Sequence, residues 1–175
     1  YLCLVFTGPG IYALDARWAA GASVSKDDRI DSLYAAGAIS SQYRLREDLA
    51  EVFGGWSQGL IDGWTQRYSL GLSSRDDAYR LDPGRIAPAQ LPADQKLVAP
   101  FVRYEVIEDR FQKLTNRNQM GRPEFFAFGF ASTLQLGRAL RSLGSNENAW
   151  LYSGTVSDGF SPVPGQDLLV KASFS

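Results

Sequence analysis

The chain contains no histidine. That absence removes the commonest general base, the His-dependent catalytic triads and the imidazole metal ligand. Cysteine occurs once, as Cys3, so an internal disulfide and a cysteine-rich zinc site are excluded as well. Lysine is scarce, confined to Lys26, Lys96, Lys113 and Lys171, and most basic residues are arginine. A formal charge of −1 gives no electrostatic case for nucleic acid or for an anionic membrane surface. The longest unbroken apolar run, Tyr1 to Phe6, is far below the ~20 residues a membrane helix needs. A membrane β-barrel stays open, because its strands need only ~9–11 residues each.

Glycine and aromatic residues are abundant instead, and their arrangement is periodic. Between Glu124 and Gly137 the residues alternate: Phe126, Phe128, Phe130, Leu134 and Leu136 fall on one face, and Ala127, Gly129, Ala131, Thr133 and Gln135 on the other. A period of two predicts a β-strand. One large apolar face opposed by a small, weakly polar one suits a strand between lipid and a narrow polar lumen. The pattern recurs over Tyr12–Ser25, Tyr34–Arg46, Trp64–Ser73, Val98–Val106, Trp150–Ser157 and Leu168–Ser175. Leu49–Ser57 continues the second of these or forms its own strand; helix competes over Leu45–Phe53, but Gly54-Gly55 ends it early. Lys26-Asp27-Asp28-Arg29 reads as a polar turn, Ser57–Gly63 as a glycine-bounded connection, and Arg75–Lys96, with Pro83, Pro88 and Pro92, as a long surface loop.

The expected fold is therefore all-β: an antiparallel membrane β-barrel, or partial barrel, of about eight strands. Residues 1–175 read as one barrel segment of a longer chain, since the sequence starts at Tyr1 and ends in alternation at Ser175. Arg67, Arg103, Glu105 and Lys171 are expected to face the lumen, where water makes their burial cheap; in a dry core they are costly unless paired. Phe126, Phe128, Phe130, Leu134 and Leu136 are expected to face lipid, with Trp18, Trp56, Trp64 and Trp150 near strand ends as an interfacial girdle.

The candidate chemical motifs are weak. Gly55-Trp56-Ser57-Gln58-Gly59 spells a nucleophile-elbow motif, but no helix pattern follows it and there is no histidine to accept the proton. Ser23-Val24-Ser25-Lys26 lacks the partner motifs of an S-x-x-K enzyme, and Gly54-Gly55 lacks the G-K-[ST] of a phosphate loop. Asp27, Asp28 and Asp31, like Asp76 and Asp77, lack the spacing of a calcium loop. Glu105 and Glu108, three positions apart on a strand, point to opposite faces and cannot form a glycosidase pair. No catalytic residue, metal ligand or cofactor is expected.

The run from Val52 to Tyr68, the stretches Leu91–Asp94 and Tyr104–Phe111, and Asn116-Arg117-Asn118-Gln119-Met120-Gly121-Arg122 resemble bacterial surface-antigen barrels of the BamA/TamA outer-membrane assembly superfamily. The resemblance implies an outer-membrane barrel acting in protein insertion or translocation, with membrane lipid and a client protein as partners and no nucleic acid. The family's inward loop with an R-G-[YF] motif is not among these residues, and no functional residue carries over. Two other expectations stand beside it: a passive outer-membrane pore, and a soluble eight-stranded barrel that binds an apolar ligand on an inward Phe126, Phe128 and Phe130 face. An outer-membrane lipase or protease ranks last.

Overall fold

The computed structural model describes residues 2–7, 14–114, 124–163 and 166–175, with side chains over 14–112, 127–162 and 167–175. Ten strands account for nearly all of it: β1 (Leu2–Thr7), β2 (Trp18–Ala35), β3 (Ala38–Ile61), β4 (Trp64–Arg80), β5 (Gln95–Glu108), β6 (Phe111–Leu114), β7 (Glu124–Ala127), β8 (Ala131–Ala139), β9 (Ala149–Val163) and β10 (Gln166–Phe174). One 3-10 turn, Arg141–Leu143, is the sole helical element among the described residues. No helix there is long and apolar enough to cross a membrane.

The main sheet is antiparallel throughout, in the order β1-β2-β3-β4-β5-β8-β9-β10, and β6 pairs only with β7. The seven strands from β2 to β10, less that hairpin, curl into a half-barrel. The all-β antiparallel partial barrel of about eight strands read from the alternation is thus the observed fold, with eight strands paired in the sheet and seven of them in the half-barrel.

Turn chemistry sets two tight corners among the described residues. Ala36 and Gly37 (φ 49° and 81°) join β2 to β3, and Asp62 and Gly63 (φ 50° and 80°) join β3 to β4. Paired positive φ values describe type I′ turns, whose twist matches that of the flanking strands. The first of these corrects the sequence reading. Lys26–Arg29 is no turn: β2 runs straight through it for 18 residues, pairing Lys26 with Asp48 and Arg29 with Leu45. The four charged residues alternate between faces of a strand that carries polar groups on both. β3 is likewise a continuous strand of 24 residues, which settles Leu45–Phe53 as strand rather than helix.

The segment from Ser57 to Gly63 also differs from a simple connection. β3 continues to Ile61 through a bulge between Ser57 and Leu60, where Gly59 adopts φ 85° and its N–H donates to Ser57 Oγ at 3.0 Å. Ser57 is 1% exposed and already engaged, so the serine of the elbow-like motif is a bulge former. β4 extends to Arg80, leaving 81–94 as the loop.

The strand expected over Glu124–Gly137 is broken in two. β7 pairs with β6, β8 pairs with β5 and β9, and Phe128-Gly129-Phe130 makes the break. A side chain at Gly129 would collide with the Glu108 carbonyl, so this crossing is tight enough to require glycine.

Replacing Gly63 by valine places a β-branched residue at positive φ. The expected cost is about 1–2 kcal/mol, read as a lower urea midpoint with an unchanged slope. An unchanged midpoint would show that the corner does not demand this conformation.

Candidate functional site: an apolar outer face and a charged inner face

Register determines what each face carries. The row Trp18–Trp56–Tyr68–Tyr104–Leu134–Gly154–Phe174 crosses seven strands through directly opposed pairs. The next row on the same face is Ala20–Gly54–Leu70–Val102–Leu136–Tyr152. The large side chains of these rows stand exposed: Leu70 is 68% accessible, Trp150 beside them 62%, Val102 51% and Leu134 50%. Soluble monomers rarely expose a contiguous apolar patch of more than a few hundred Å². Aromatic contacts follow the row, with ring centroids 6.4 Å apart for Trp56–Tyr68 and 5.0 Å for Tyr68–Tyr104.

The apolar rows form a band with polar borders. On one border Tyr68 and Tyr104 each donate a phenolic O–H to Gln66 Oε1 at 3.2 Å. On the other, the outward positions turn charged along the row Lys26–Asp48–Asp76–Lys96. Lys26 pairs with Asp48 and Lys96 with Asp76, both at 3.8 Å. From Gln66 to Asp76 the strand rises roughly 33 Å along its own axis.

The opposite face is inner, and it mixes small, polar and charged residues with buried apolar ones, among them Leu45, Leu97 and Phe101. Ser57, Thr65, Ser69, Ala99, Phe101 and Ala139 are all buried on it. Two charged tiers cross it. In the middle tier the Arg103 guanidinium donates to Glu51 Oε1 at 2.7 Å and to Gln135 Oε1 at 2.8 Å. It also lies over the Phe101 and Phe53 rings at 4.9 and 5.3 Å. To reach Glu51 on β3, Arg103 on β5 passes over β4, where Gly71 leaves no side chain in the way; a Cβ there would meet the Phe101 ring. Arg67, 6% exposed, pairs with the directly opposed Glu105 at 3.8 Å.

The second tier lies toward the β2–β3 corner. Glu47 accepts from Arg29 at 3.2 Å and pairs with Arg75 at 3.0 Å. Arg29 also engages Asp27 and Asp31, and Arg75 engages Asp77 at 2.8 Å. Three carboxylates therefore stand directly opposite one another in the row Asp27–Glu47–Asp77, and two arginines offset a repulsion that would otherwise weaken the pairing. The hydrogen bond to Asp27, then that to Glu47, raises the Arg29 pKa above its ordinary value. Burial, then the neighbouring Asp77 charge, raises that of the Tyr79 phenol.

Of the residues singled out from sequence, Arg67, Arg103 and Glu105 lie together on the inner face. Lys171 shares their parity, opposite Ser157, but sits exposed on the edge strand β10, away from them. Leu134 and Leu136 stand exposed on the outer face. Phe130 is half-buried against Trp64, at 6.1 Å between centroids. The side chain of Phe126 falls outside the described residues.

Phe128 is a correction. It is 3% exposed, packed on Gly159 with Arg110 over its ring at 5.7 Å, because the break at Gly129 takes it out of the sheet. Arg110 holds that crossing through Asp158 at 2.9 Å and Glu108 at 3.4 Å. Sequence reading missed Glu51 and Gln135 as partners of Arg103, although both share its face in the alternation. Among the described residues, no group of three or more carboxylates or thiols is placed to hold a metal ion.

No protein-family model, curated protein or solved structure matches this chain.

Replacing Arg103 by methionine leaves Glu51 and Gln135 without their donor on a half-buried face. The expected loss is about 1.5–3 kcal/mol, as for hydrogen bonds to a charged group. Adding Glu51→Gln should cost much less than it does alone. A double-mutant cycle by chemical denaturation measures that coupling, and purely additive losses would dissolve the tier as a unit.

Proposed function

We propose that this chain forms part of the wall of a bacterial outer-membrane β-barrel of the surface-antigen type, acting in insertion or translocation of protein across that membrane, without catalysis or cofactor. The carrying observation is the outer face: two exposed apolar rows in continuous register, lying between a Tyr–Gln border and a charged border, with the one arginine of the next row, Arg138, stacked on the Trp150 ring at 5.1 Å. Lipid is the solvent that makes such exposure favourable, and closed antiparallel strands satisfy their backbone groups without water. A strand needs ~9–11 residues to cross, so the 18, 24 and 17 residues of β2, β3 and β4 carry the sheet well beyond the apolar band. In this reading the charged extension at the β2–β3 corner stands outside the bilayer.

The inner face supports a polar path rather than a ligand pocket. Its central charges, Arg67, Glu105, Arg103 and Glu51, are paired with one another, and serine, threonine, glycine and the Phe53 and Phe101 rings lie between them. A soluble barrel built to hold an apolar ligand would leave large apolar residues open to its interior; here the exposed ones stand on the outer face, and the inner Phe53 and Phe101 rings lie under Arg103. The insertion or translocation role itself comes from the sequence resemblance. The passive-pore alternative uses the same wall, with Arg67, Arg103 and Glu105 lining the path.

A charge on each face separates a lipid-facing wall from a water-facing one. Leu70→Arg should cost about 2–4 kcal/mol at mid-band and abolish insertion into phospholipid vesicles, whereas Ser153→Arg on the inner face should insert normally. Flotation with vesicles and protection from added protease read both variants. Equal insertion of Leu70→Arg and wild type would remove the membrane reading.

A further inference from the structure

Gly54 stands in mid-strand, and nothing among the described residues explains it. Its φ is not positive, it closes no turn, and a Cβ at this position would meet nothing within 4 Å. Its neighbour Gly55 differs, because a Cβ there would run into the Ser69 hydroxyl, and Gly71 is crowded by Phe101. A glycine inside a strand weakens the sheet, and one reason to keep it is the close approach of something from outside. Beside Gly54 the register places Ala20, so the backbone of two adjacent strands lies nearly bare on the outer face.

That bare patch is the floor of a trough of about 900 Å³. Trp18 and Trp56 border it, and Leu70 and Leu136 line its far side. Tyr68 and Tyr104 complete the ring wall, and their hydroxyls, both directed to Gln66, give it one polar lip. A ligand fitted to this shape has a long hydrocarbon part that touches backbone at Gly54 and a polar group near the tyrosine lip.

We propose that the trough holds an acyl chain of one membrane phospholipid, retained on the protein rather than exchanging with the bulk bilayer. This rests on the membrane reading above, because the trough opens onto the apolar band and is continuous with it. Tight contact with Trp18 and Trp56 across a bare backbone gives the bound chain more buried area than the flat band gives its neighbours.

The test fills the floor. Gly54→Leu has open space for its side chain, and Ala20→Leu fills the same floor from the next strand should the first variant fold poorly. The full chain is inserted into vesicles of phosphatidylethanolamine and phosphatidylglycerol, extracted into detergent and washed. Native mass spectrometry and phosphorus per protein then count retained lipid. Wild type is expected to keep one phospholipid, and the filled variants to insert equally while retaining about tenfold less. Equal retention by an inserted variant overturns the lipid site and leaves the membrane wall standing, as does wild type that inserts but keeps no lipid. Protein that never inserts overturns both. A second protein copurifying in the trough, displaced by Gly54→Leu while lipid counts stay equal, also overturns it.

Discussion

Everything in this molecule depends on an unbroken register. From Trp18 across to Phe174, opposed residues keep the same parity through seven strands, so each face keeps its own set of residues across the whole half-barrel. Side chains alternate with a period of two, and one misplaced residue anywhere in the band would exchange the faces beyond it. Within the main sheet the irregularities fall at its ends: between Leu33 and Tyr34, between Ser57 and Leu60, and between Gln166 and Leu168. Bulges bend and twist strands, and here they do so outside the rows where parity matters.

With parity fixed, the two faces divide the physical work. The outer face contributes exposed apolar area, and the inner face contributes ion pairs completed by neighbouring side chains. Arg103 illustrates the second point. It is anchored by Glu51, Gln135 and two phenylalanine rings, so it stitches β3, β5 and β8 together across β4. The smallness of Gly71, Ser69 and Ser73 on β4 is what lets an arginine span that distance.

Strand existence and facing were legible wherever one face was apolar and the other small. Trp64–Ser73 and Val98–Val106 carried their own pattern, and so Arg67, Arg103 and Glu105 could be placed on one face from sequence alone. The charged half of β2 was not legible: Lys26 to Asp31 presents polar groups on both sides, and periodicity has nothing to contrast. The true corner, Ala36-Gly37, offered only a weak glycine signal. Phe126 to Phe130 failed for the opposite reason. Its alternation was strong, but alternation says nothing about which partner a strand takes, and a single glycine at 129 carried the chain out of the sheet. The Arg103–Glu51 contact joins residues 52 positions apart and depends on three-dimensional reach across a third strand. The open floor at Gly54 is visible only once its neighbours are placed.

The reach of Arg103 bears on errors of assembly. Alternation guards against a slip of one residue, which would turn a whole strand inside out. It is blind to a slip of two, since that preserves every facing and leaves the apolar band intact. A bridge spanning strands β3 to β8 is not blind to it. Shifting β3 by two residues against β4 would carry Glu51 roughly 7 Å along the strand, beyond hydrogen-bond range of the guanidinium, and strand an acid on the inner wall. Face chemistry and ion pairing thus act as two checks on the same chain, one sensitive to odd errors and the other to even ones.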